Sequence, residues 1–144
     1  MGRLGRFVAL SPAERRMVVS AAGLLATVRV GLWVLPFRWV HGAVRAFGKR
    51  PRPLDEDGPP VQRVVWAVGA AARLVPRATC LVRALAAQAL LARRGYASEL
   101  RLGVSGGPRR TFSAHAWIER DGQVLVGGPV DARYVPFPVL EPPR

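Results

Sequence analysis

Two residues of this chain have side chains suited to covalent catalysis, and they lie far apart in sequence. Cys80 is the only cysteine, and His115 is one of two histidines, the other being His41. A thiolate is a strong nucleophile where positive potential lies nearby. Thr79-Cys80 opens an apolar run of helical period, which puts Cys80 at a helix start, where unsatisfied N–H groups and the helix dipole favour negative charge. Arg77 and Arg83 flank it. His115 sits in an alternating run over 111–119, with Phe112, Ala114, Ala116 and Ile118 on one face and Ser113, His115, Trp117 and Glu119 on the other. A sheet packed on the cysteine helix brings imidazole to thiol. That pair supports acyl transfer, with thiolate attack, imidazole as acid for the leaving amine, and hydrolysis. A lone cysteine is more commonly a small buried hydrophobe, so the surrounding sequence must decide. A single cysteine excludes an intramolecular disulfide and a multi-cysteine zinc site, and neither histidine sits in a metal-ligand spacing. No metal or cofactor is expected.

The elements that must position this pair follow from period and punctuation. Ser11-Pro12-Ala13-Glu14 has the form of a capping box with proline at the first helical position. It predicts a helix over 12–30, and 31–46 reads as a second helical piece bent near Pro36. Residues 49–60 hold Pro51, Pro53, Pro59 and Pro60 with Asp55-Glu56-Asp57, and read as a linker. A third helix is expected over 60–74, ended by Pro76, with Val61, Val64, Val65 and Val68 inward. A fourth runs from Thr79-Cys80 to Arg94, with Leu81, Leu85, Gln88 or Ala89, and Ala92 on its face and Gly95 as its cap. The period then changes to two. Leu100, Leu102 and Val104 mark a strand, 111–119 a second, Asp121-Gly122 a hairpin turn, and 123–126 the partner strand. The tail from Pro129 reads as mostly irregular. One α+β domain over 1–144 is expected, with a helical part (1–50), a linker (51–60) and a catalytic core (61–144).

The stretches Thr79-Cys80-Leu81-Val82-Arg83, Leu90-Leu91-Ala92-Arg93-Arg94-Gly95, Leu100-Arg101-Leu102-Gly103-Val104, Phe112-Ser113-Ala114-His115-Ala116-Trp117-Ile118-Glu119 and Asp121-Gly122 form one ordered set. Over 64–128 this set resembles the transglutaminase-like cysteine peptidases of lasso-peptide biosynthesis, which cut the leader from a precursor peptide. The resemblance implies a papain- and transglutaminase-like fold, a Cys80 nucleophile on a helix, and a His115 base and acid on an antiparallel sheet. It implies the stand-alone type, in which a separate small protein recognises the leader and an ATP-dependent cyclase acts on the same precursor. The family's third residue, an aspartate after the Asp-Gly turn, is missing from Val124-Leu125-Val126-Gly127-Gly128. Asp131 is the nearest downstream candidate, Asp121 reads as a turn residue, and a backbone carbonyl can also anchor the histidine tautomer. The Cys80 backbone N–H is the expected oxyanion donor, since Gln62 is too far upstream to copy papain's glutamine. Trp117 is read either as a wall of the site or as core, and Ser113 as a supporting hydroxyl. The alternatives are an acyl transferase of the same fold and an inactive precursor-binding scaffold.

Composition bounds the partners. The chain has 144 residues, with 22 Lys plus Arg against 9 Asp plus Glu, a net charge of +13. Half the residues are hydrophobic, a globular composition. No basic–aromatic interleaving or nucleic-acid motif is present, so the charge suits solvation, or an acidic partner or leader, better than nucleic acid. No signal peptide is read in the first ten residues. Arg29 splits the apolar stretch 17–37 into pieces too short to span a bilayer. A cytoplasmic protein is expected, and peripheral membrane contact is not. Trp33, Phe37, Trp39 and Phe47 are offered as a docking surface for the recognition protein.

Overall fold

The computed structural model describes residues 2–48, 60–75, 78–105, 113–127 and 135–136. Among the described residues, five helices precede a small antiparallel sheet: α1 (Arg3–Val8), α2 (Pro12–Val34), α3 (Phe37–Gly48), α4 (Val61–Ala72), α5 (Cys80–Arg93), then β1 (Glu99–Ser105), β2 (Ser113–Arg120), β3 (Gln123–Val126) and β4 (Val135–Pro136). The sheet order is β3-β2-β1-β4. This is the expected α+β class, with the cysteine-bearing helix packed on the sheet.

The helix ends follow local chemistry. Ser11 and Glu14 close a reciprocal capping box at the start of α2, and Glu14 is further paired with Arg63 of α4. Hydrogen bonds from Ser11, then the Arg63 charge, hold the Glu14 carboxyl below its usual range. α2 runs to Val34, four residues beyond the expected end, and is followed by a separate α3 rather than a bent continuation. The break is at Leu35, whose extended φ −118° and ψ 151° are what a residue before proline adopts. The unbroken α2 has 23 residues, and by length and composition it is long and apolar enough to cross a membrane. This corrects the reading that Arg29 leaves only short pieces, because a single arginine does not interrupt a helix. α1 has no side-chain cap, so no local signal marks it in the sequence. α4 ends at Ala72, before Pro76 is reached. The linker at 49–59 lies outside the described residues.

α5 is the centre of the molecule. It packs against α2, α3 and α4 on its helical sides and against β1, β2 and β3. Its Val82, Ala84, Leu85, Ala86, Ala87, Ala89, Leu90 and Leu91 are all buried. The single apolar face expected for it is therefore too narrow. Alanines on several sides let helices and sheet approach the same backbone, and Leu85 and Leu91 fill the remaining space. Gly95 ends the helix with φ +81°, a conformation glycine adopts without strain.

In the sheet, Leu100 lies opposite Ile118, and Leu102 opposite Ala116. Ala116 and Ile118 belong to the same buried cluster as α2, α4 and α5. The Asp121-Gly122 turn has φ +51° and +76°, both in the left-handed region a two-residue hairpin needs. β4 pairs with the free side of β1, so the tail supplies an edge strand where irregular chain is expected. A two-residue strand has too little period to be read from sequence.

Candidate active site

Cys80 is the first residue of α5, and Thr79 is its N-cap. The Thr79 hydroxyl accepts from Val82 N–H at 3.4 Å, and the Thr79 carbonyl accepts from Arg83 N–H at 3.0 Å. Those two bonds leave the Cys80 and Leu81 N–H groups as donors at the helix end. The Cys80 side chain is half-buried.

His115 lies in β2, opposite Gly103 of β1. Its Nε2 donates to the carbonyl oxygen of Gly127 at 2.5 Å. A carbonyl only accepts, so this bond puts the hydrogen on Nε2 and makes Nδ1 the basic nitrogen. Trp117 stacks beside the imidazole, with ring centroids 6.0 Å apart and planes inclined by 21°. Its indole N–H donates to Glu119 at 2.7 Å, and Glu119 is paired with Arg101 at 3.4 Å. Trp117 is buried, yet it belongs neither to the main core cluster nor to the cleft lining. It therefore acts as a stop against the histidine ring, a role between the two readings offered for it.

Cys80 and His115 line one cleft of about 570 Å³. α4 contributes Val65, Val68 and Gly69, the start of α5 adds Arg83, and the end of β3 adds Leu125, Val126 and Gly127. A thiol, an imidazole and a cation thus converge between mostly apolar walls. A larger cavity, about 740 Å³, lies between α2 and the α4–α5 connection and has neither cysteine nor histidine in its lining. Volume alone does not locate the chemistry.

Gly127 is the residue that sequence reasoning missed. Its φ is +91°, and a Cβ there would lie 2.8 Å from the Ala116 carbonyl oxygen and 3.0 Å from the Trp117 Cβ. Only glycine lets the chain turn at the end of β3 this close to β2 and aim its carbonyl at the imidazole. The available signal was a glycine ending an apolar strand in the stretch searched for an acid. Asp131 and Arg77 lie outside the described residues, and Ser113 is described by its backbone alone. His41 is not among the residues that line this cleft. It lies in α3, stacked on Phe37 at 5.5 Å. Among the described residues, no three His, Cys, Asp or Glu side chains gather where a metal ion could be held.

A sequence model of the transglutaminase-like superfamily matches residues 22–139. The chain belongs to the transglutaminase-like superfamily. The match begins in α2 and takes in both Cys80 and His115, so the helical part and the sheet fall within one family match. No curated protein and no solved structure matches the chain. The superfamily includes cysteine peptidases and acyl transferases, both of which work through an acyl-enzyme. In this transglutaminase-like domain, the helix that starts at Cys80 and the sheet that carries His115 bring a thiol and an imidazole to one cleft.

Proposed function

We propose that this transglutaminase-like protein is a cysteine peptidase that removes the leader from a lasso-peptide precursor, working with a separate leader-recognition protein. The observation that carries the catalytic part is the meeting of Cys80 and His115 in one cleft, with His115 tautomer set by the Gly127 carbonyl. The choice of precursor rests on the ordered motif set around Cys80 and His115.

In this reading His115 Nδ1 takes the Cys80 proton as Sγ attacks the scissile carbonyl carbon. A C–S bond forms, and the carbonyl electrons move to oxygen. The N–H groups of Cys80 and Leu81 are the donors placed to meet that oxyanion. Collapse of the tetrahedral species breaks the C–N bond, and His115 gives its proton to the departing amine. Water, deprotonated by His115, then attacks the thioester, releasing the leader carboxylate and restoring the thiol. Asp131, the candidate third member, is given no step here, because Nε2 is bonded to the Gly127 carbonyl and Nδ1 is the base. The cyclase acts on the released core peptide.

The test is cleavage of a precursor peptide with and without the recognition protein, followed by mass spectrometry. The intact chain should cleave, faster with its partner, because a gripped leader is presented at an effective concentration near millimolar. Cys80→Ala should abolish cleavage while leaving the circular dichroism spectrum unchanged, and iodoacetamide should add one label per chain. Cleavage by Cys80→Ala ends the cysteine-peptidase reading. Formation of amine adducts in place of acid product would instead assign the acyl-transferase activity.

A further inference from the structure

We propose that the corner where α2 meets α3, centred on Trp33 and Trp39, docks on an anionic lipid surface. Trp33 is 90% exposed, Val34 71%, Trp39 62% and Val30 58%. Leu35 and Pro36 between the helices are exposed as well. The exposed side of α2 continues this patch as an uncharged stripe through Val19, Gly23, Ala26 and Val30, spaced at helical period. Exposed large apolar patches of this kind mark interaction surfaces.

Trp33, Phe37, Trp39 and Phe47, expected to form one docking surface for a protein partner, are separated by the structure. Phe37 is stacked on His41, and Phe47 lies under the Arg93 guanidinium at 4.5 Å, so both are engaged within the fold. The two tryptophans are left outward, in the company of aliphatic side chains and of the exposed Arg38 and Arg45. Tryptophan beside aliphatic and arginine side chains is the composition of a membrane-interface anchor.

Charge selects the occupant. The corner carries the exposed Arg38 and Arg45, and no acidic residue stands anywhere from Arg15 to Gly48. A second copy of a +13 chain is repelled from such a face, whereas an anionic bilayer is attracted to it. The surface lies on the bilayer rather than across it. The opposite side of α2, with Val18, Ala21, Leu25 and Val28, is part of the buried core and would have to leave it for the helix to span. Trp33 also shares a groove with Thr79 and Val82, so docking here holds the start of the Cys80 helix beside the membrane.

The experiment is co-sedimentation of the full chain with vesicles of phosphatidylcholine alone or of equimolar phosphatidylcholine and phosphatidylglycerol, with tryptophan quenching by brominated acyl chains. The chain should bind the anionic vesicles, bind less as salt rises, and show quenching. Trp33→Ser with Trp39→Ser should weaken partitioning at least tenfold and remove most of the quenching. Arg38→Ser with Arg45→Ser should weaken it about 20- to 30-fold, at roughly fivefold per arginine. All four side chains are exposed, and unchanged melting confirms that the variants fold. Binding equal for both vesicle types, binding unaffected by the tryptophan pair, or binding only to an acidic protein each overturns the proposal. The vesicle assay is independent of catalysis, since Cys80→Ala should bind as the parent does.

Discussion

Gly127→Ala tests the link between the sheet and the His115 imidazole. Alanine at φ +91° costs about 1–2 kcal/mol of backbone strain. Its methyl would also sit 2.8 Å from a backbone oxygen of β2, which has no flexible end to yield. Forcing a carbon into such a site costs about 1–3 kcal/mol more. The sum, about 2–5 kcal/mol, lies within the stability of an ordinary domain, so the variant should still fold, with a clearly lower melting temperature. Relief requires β3 to withdraw from β2, and that withdrawal carries the Gly127 carbonyl away from His115 Nε2. A displacement near 1 Å at a positioning group costs about 10²-fold in turnover. Precursor cleavage should therefore lose about 10²-fold in kcat with KM little changed, and iodoacetamide labelling of Cys80 should slow at neutral pH. Gly122→Ala is the control. Its φ is +76° but nothing lies within 4 Å of the added carbon, so it should lose about 1–2 kcal/mol of stability and no turnover. If Gly127→Ala loses stability yet keeps parental kcat and labelling, the carbonyl does not position the histidine.

The two histidines should behave oppositely in the same cleavage assay. His115→Ala is expected to lower turnover by about 10²–10⁴-fold, and His41→Ala to leave it intact; the reverse pattern would refute the placement of the site on β2. His41 should instead appear in stability. Burial, and then the Arg45 charge, push its pKa below the usual value of 6.5. The unfolded chain therefore binds the proton first as pH falls below about 6.5, and stability declines from there through the lower folded value. Urea titrations should show that decline in the parent and a flatter profile in His41→Phe. A second decline, below the carboxylate range near 4.5, should belong to Glu14 and vanish in Glu14→Gln.

Much of this protein is written in local sequence. The Ser11-to-Glu14 box, the Thr79 cap before Cys80, Gly95 at a helix end and the Asp121-Gly122 turn each act through neighbours a few residues away, so period and punctuation locate them. The placement of Cys80 at a helix start and of His115 on a strand was legible for the same reason, since both are local features. What only the tertiary structure decided is nonlocal. The burial of α5 on nearly all sides depends on helices and strands far along the chain, so no single face of its own sequence announces it. The exposure of Trp33 and Trp39 and the engagement of Phe37 and Phe47 are equally invisible to composition, because an aromatic residue reads the same whether or not something covers it. The histidine's anchor is the clearest case. The group that holds His115 Nε2 is a main-chain carbonyl, which every residue possesses, so residue type gives no sign of it. What singles out Gly127 is a close approach between two strands, and that exists only once β3 is laid against β2.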